Sequence, residues 1–105
     1  MIQEAVFLYV KPELTTQFEK DFVEASQYIS SIDGYICHSL QRCLEQENKY
    51  LLLVEWTNLE AHTIGFRESE VYQKWKKILH HYYEPFPVVE HFEMVFKQAK
   101  KCYDF

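Results

Sequence analysis

KYLLLVEWTNLEAHTIGFRESEVYQKW, Lys49 to Trp75, changes its hydrophobic period partway along. Up to Trp56 the side chains alternate, with Leu51 and Leu53 on one side and Leu52, Val54 and Trp56 on the other, which is the pattern of a strand whose two faces are both apolar. After Thr57 the spacing becomes three and four: Leu59, His62 and Phe66 fall on one inward helical face, and Val71, Tyr72 and Trp75 begin another. Thr57-Asn58-Leu59-Glu60 has capping-box spacing for a short helix, and Ser69 is placed to cap the next. A strand therefore runs directly into two helices.

Upstream, Gly34 to Leu44 and Lys49 to Thr57 flank the polar turn Glu45-Gln46-Glu47-Asn48 and read as a hairpin. Leu14, Phe18, Phe22, Ala25, Ile29 and Ile32 mark a long amphipathic helix, with Thr16 and Glu19 spaced as a capping box and Gly34 as its stop. Before it, Gln3 to Val10 forms a strand ended by Pro12, in which Val6, Leu8 and Val10 oppose Ala5, Phe7 and Tyr9. Downstream, the helical stripe extends through Ile78, Leu79 and Tyr82 to Pro85, and Phe86 to Phe96 supplies a last strand. The order is βαββαβ, an α+β, ferredoxin-like layout in which helices cover one face of an antiparallel sheet. Residues 1–96 are expected to form the domain and residues 97–105 a C-terminal tail. Strands apolar on both faces leave one face uncovered in a monomer, so a homodimer packed through that sheet face is expected.

In 105 residues with 48% apolar content there is material for one core but little for a large internal cavity, so a sizeable pocket is expected to need a second subunit. A net charge of −5 offers no excess of positive charge for phosphates, which argues against nucleic acid as a partner. The N-terminus has only a short apolar run after Glu4 and no basic flank, so neither a signal peptide nor a membrane span is expected, and the protein is placed in the cytoplasm. Three cysteines, Cys37, Cys43 and Cys102, make no CxxC and read as reduced thiols. Two glycines exclude phosphate-cradling loops, so no nucleotide cofactor is expected.

The layout, together with KYLLLVEWTNLEAHTIGFRESEVYQKW and its continuation ILHHYYEPFPVVEHF, resembles the antibiotic biosynthesis monooxygenase superfamily from Met1 to about Phe96. The resemblance implies a dimeric α+β barrel. It implies less about chemistry, since the superfamily includes cofactor-free oxygenases of polycyclic aromatic or quinol substrates, haem-degrading enzymes, and proteins of no assigned reaction. The Asn, Trp and His of the haem-degrading members match Ala5, Phe66 and Lys76 here, and all three depart. The Asn, Trp and Tyr of the quinone-forming oxygenases match His62, Phe66 and Tyr72, of which only Tyr72 keeps its type. Histidine in place of asparagine still offers a hydrogen-bond donor or a base.

His62 is the first site candidate, against the blander reading of a buried imidazole bonded to backbone. Arg67 stands near a helix junction, where it pairs with Glu68 or Glu70 or else recognises an anion. Tyr72 and Trp75 belong to a core stripe, yet their polar tips suit a pocket wall. His91 on the last strand and His38 on the second face either the pocket or the dimer seam, and His80 and His81 read as solvated or capping groups. A metal centre from His62, His81 and His91 has no ligand spacing behind it, so no metal is expected.

These residues suggest a cofactor-independent monooxygenase of a small aromatic quinol or phenol. His62 would be its base, Tyr72 and Arg67 would steady the anion, and Phe66, Trp75 and His91 would bind substrate, with dioxygen as co-substrate. The alternative is a non-catalytic dimeric domain that binds a hydrophobic ligand or stabilises an assembly.

Overall fold

In the computed structural model, which describes residues 1–100, four strands form one antiparallel sheet: β1 (Ile2–Tyr9), β2 (Tyr35–Arg42), β3 (Lys49–Trp56) and β4 (Val89–Phe92). Their order is β2-β3-β1-β4, and helices α1 (Thr15–Ile29) and α2 (Glu70–Leu79) cover one face, giving the ferredoxin-like α+β fold. Cys102 and the aromatic end of the expected tail lie outside the described residues.

The alternation read from the sequence sets the layers. Val6 and Leu8 of β1, Val10 just beyond it, and Tyr50, Leu52, Val54 and Trp56 of β3 are buried against Phe18, Phe22, Ala25 and Ile29 of α1 and Trp75 and Leu79 of α2. Each large side chain so buried contributes about 1.5 to 3 kcal/mol. After α2 the chain returns to the sheet: the Lys11 N–H donates to the Tyr82 carbonyl (2.8 Å) and the Glu84 N–H to the Tyr9 carbonyl (3.0 Å), which buries Tyr82 and Tyr83. The opposite face carries Ala5, Phe7, Leu51, Leu53 and Phe92 with no helix over it among the described residues, and Phe7 and Phe92 are about half exposed. Among the described residues no helix is long and apolar enough to cross a membrane.

Three local expectations change, and one irregularity is new. Thr16 and Glu19 do not make a capping box, because a 3₁₀ turn, Pro12–Leu14, leads the chain into α1 and leaves Leu14 as an N-cap without a side-chain bond. The Glu19 carboxylate is thereby free to accept from the Tyr50 hydroxyl and Arg42. Gly34 does not stop the helix, which ends at Ile29 with Ser30 as its cap; its φ of +93° instead makes the turn into β2. A Cβ on Gly34 would stand 2.7 Å from the Ala61 Cβ, so the same position lets the segment after β3 approach closely. Ile36 leaves the alternation at a bulge between Tyr35 and Cys37, which puts Tyr35 and His38 together on the helix side. The last strand spans Val89–Phe92 and not Phe86 to Phe96: Phe92 already pairs with Gln3, one residue from the start of β1, and Pro87 has no N–H to donate.

Candidate active site

The segment after β3 is not an ordinary helix. Ala61–Phe66 is a π-helix, closed by the Arg67 N–H on the His62 carbonyl at 3.1 Å, an i→i+5 bond. Asn58, rather than Thr57, caps the helical turn that leads into it, its Oδ1 accepting from the Ala61 N–H at 2.9 Å. The wider turn keeps residues four apart nearly in line and lets residues three apart fall out of line. His62 and Phe66 therefore both point inward, whereas Leu59, expected on the same face, is 40% exposed.

His62 is packed on Trp56, with ring centroids 5.4 Å apart, and both of its nitrogens meet side chains rather than backbone. Nδ1 lies 2.7 Å from His91 Nε2, and Nε2 lies 3.4 Å from Glu4 Oε1. The same Glu4 oxygen accepts from Trp56 Nε1–H at 3.0 Å. Register explains the meeting: Glu4 sits between Val54 of β3 and His91 of β4, all on the helix side of the sheet. Burial pushes the Glu4 carboxyl above its ordinary range, although the Trp56 hydrogen bond and the Arg67 charge act the other way. Burial, with Arg67 and His91 adding to it, holds His62 down at about 3. Both shifts favour neutral partners, so the contact is an acid–imidazole couple and not an ion pair. An imidazole this hard to protonate is a weak base alone; a proton arriving here is shared with Glu4.

Next to the couple is a cavity of about 400 Å³ between the sheet and the helices. This corrects the expectation that a pocket would need a second subunit: the chain's own aromatic side chains stand off one another and leave the space. Glu4, His62, Phe66, Arg67, Tyr72 and Trp75 line it together with Leu8, Leu79, His80, Tyr83 and Phe86. Phe66 meets Tyr72 edge-on at 5.1 Å and Trp75 at 5.8 Å, so three of the expected wall residues form one cluster. Arg67 is exposed and lines the cavity from its solvent side. Among the described residues it makes no ion pair with Glu68 or Glu70, or with any other carboxylate, within 4.0 Å.

The remaining histidines separate. His91 does not line the cavity but stands behind His62 on the edge strand. His38 is bonded by Ser26 Oγ (2.8 Å) and the Tyr35 hydroxyl, tying α1 to β2 away from the cavity. His81 is exposed against Tyr82. His80 caps α2 with its backbone, but its ring turns in against Tyr72, Tyr83 and Phe86, with Nδ1 enclosed and unbonded. Among the described residues no three His, Cys, Asp or Glu side chains come together as metal ligands. The Cys37 thiol instead faces the Glu55 carboxylate at 3.3 Å, and Cys43 is also free.

Among the wall residues missed in the sequence, Glu4 and His80 were missed for different reasons. Glu4 shares the parity of Val6, Leu8 and Val10, and an acid on an apolar strand face was the available signal. His80 gave none, because α2 ends at Leu79 and helical periodicity stops there.

Comparison with known proteins follows the geometry. The antibiotic biosynthesis monooxygenase family model matches residues 1–78. An uncharacterized protein of Bacillus subtilis, YczJ, is 54% identical over 95 residues, covering 90% of this chain and all of that one. The crystal structure of a candidate antibiotic biosynthesis monooxygenase from Bordetella bronchiseptica has a TM-score of 0.86 at 28% identity, over 90% of this chain and 97% of its own. SnoaB, a cofactor-independent oxygenase from Streptomyces nogalater, superposes with a TM-score of 0.69 at 18% identity, over 94% of this chain and 95% of its own.

Proposed function

Since the chain belongs to the antibiotic biosynthesis monooxygenase family, we propose that it is a cofactor-independent monooxygenase acting on a small aromatic quinol or electron-rich phenol. Membership supports a monooxygenase-like function in general terms. The observation that carries the finer reading is the aromatic cavity with a buried acid–imidazole couple in its wall. In this reading the phenolic proton passes to Glu4 and His62, leaving an electron-rich anion that supplies electrons to dioxygen. Arg67 and Tyr72 steady the anion, and Phe66 and Trp75 hold the ring. SnoaB shows that this fold accommodates cofactor-independent oxygenation in another protein.

Aerobic incubation of purified protein with hydroquinone, 1,4-dihydroxynaphthalene and related phenols tests the proposal. Oxygen uptake with incorporation of one ¹⁸O atom from labelled dioxygen is expected for at least one of them. Saturable binding of these ligands without any uptake would favour the non-catalytic, ligand-binding alternative.

Members of the family are commonly dimeric, and the uncovered sheet face suits a second copy. Leu53 lies at the middle of that face, paired with Ala5 and Ser39. Leu53→Asp would bury an unpaired carboxylate in such an interface, and the dimer dissociation constant is expected to rise by about 10²-fold or more. Sedimentation across micromolar concentrations checks this, and a wild-type protein that sediments as a monomer would remove the sheet-face dimer.

A further inference from the structure

We propose that Glu4, His62 and His91 form a proton conduit from the cavity wall to the edge of the sheet. Glu4 lines the cavity and contacts His62 Nε2 at 3.4 Å; His62 Nδ1 contacts His91 Nε2 at 2.7 Å; His91 is half-buried on β4, the edge strand. Each imidazole thus touches one neighbour through each nitrogen or opens outward, which is the arrangement a ring needs to take a proton on one side and release one on the other. A lone satisfied core histidine needs only one such partner.

The transfer balances without a redox partner. Glu4, as the carboxylic acid, passes its proton to His62 Nε2, His62 releases one from Nδ1 to His91 Nε2, His91 releases one from Nδ1 to water, and a bound phenol returns a proton to Glu4. No side chain ends with a changed charge, but both rings end in the opposite tautomer. A proton returned along the same path restores the starting state. The titratable or charged groups around the path are Glu4 from β1, Arg67 at the end of the π-helix, Tyr72 and His80 on and just beyond α2, Tyr83, and His91 from β4. Arg67 disfavours positive charge on both rings, which suits passage of a proton over its storage. The use made of the conduit rests on the proposed deprotonation of a phenol; the path itself does not.

Nitrogen NMR of ¹⁵N-histidine-labelled protein without substrate is the test. A scalar coupling between His62 Nδ1 and His91 Nε2 is expected. Both rings should invert tautomer together in the pH range where Glu4 ionises. Glu4→Gln, whose amide oxygen still accepts from Trp56, should abolish that inversion while the coupling persists. His91→Phe should abolish the coupling and leave His62 responding to Glu4 alone. Tautomers that change independently, or that ignore Glu4→Gln in a folded protein, would overturn the conduit. Because no substrate is added, failure of oxygen uptake and failure of the conduit are separate results.

Discussion

His62→Ala is expected to lower quinol turnover by about 10²- to 10⁴-fold, the usual contribution of a positioned acid–base group. The side chain is almost wholly enclosed, packed on Trp56, bonded to His91 and in contact with Glu4, so its loss separates the carboxyl in the cavity wall from the sheet edge. The same variant has a signature in stability that needs no substrate. In the folded protein His62 stays neutral down to about pH 3, whereas an unfolded histidine protonates near 6.5. Between those values the unfolded state binds a proton that the folded state refuses. Stability therefore falls as pH falls through the window, by up to about 1.4 kcal/mol per pH unit from this residue. Glu4 acts in the opposite direction: with its folded pKa raised, it stabilises at low pH and loses that contribution as pH rises through its unfolded value toward its folded one. Urea unfolding of wild type and His62→Ala between pH 4 and 7 should show the acid slope reduced in the variant. A folded variant with wild-type turnover and the wild-type slope would remove His62 from both roles.

Phe18→Ala is expected to cost about 3 to 5 kcal/mol, the range for deleting a buried phenyl ring. Phe18 is fully buried, and its ring meets Phe22, Tyr50, Tyr82 and Tyr83 at centroid distances between 5.0 and 6.4 Å. These rings come from α1, β3 and the segment after α2, so no single element can move in to fill the void. In a domain of this size each kcal/mol lowers Tm by about 4 to 8 °C, and thermal unfolding reads the change directly. Val23→Ala on the same helix is the control: Val23 is 75% exposed, and its replacement should stay within about 0.5 kcal/mol.

The elements themselves were legible in the sequence because their periods differ. Alternation through Lys49–Trp56 and Ile2–Tyr9 and three-and-four spacing through Thr15–Ile29 and Glu70–Leu79 are local properties, and each set of apolar residues went to the face its period assigned. The wall positions of Tyr72 and Trp75 follow from the same arithmetic, whereas the face it assigned to Leu59, His62 and Phe66 holds only for His62 and Phe66. The capping-box spacing at Thr16 and Glu19 misled because a nearby Pro12 turn competed for the same helix start. Spacing proposes a cap, and the path of the preceding chain decides it.

What only the tertiary structure decided is which distant groups share a volume. Glu4 and His91 lie at opposite ends of the chain and become neighbours through the β1–β4 register, which places both beside His62. The π-turn that aims His62 begins at Ala61, which approaches Gly34 closely, a contact between segments far apart in sequence. A cavity exists because bulky rings from several elements meet without filling the space between them. Periodicity assigns a face to each residue, but proximity and proton affinity arise from packing, since burial and neighbouring charge are properties of the assembled fold.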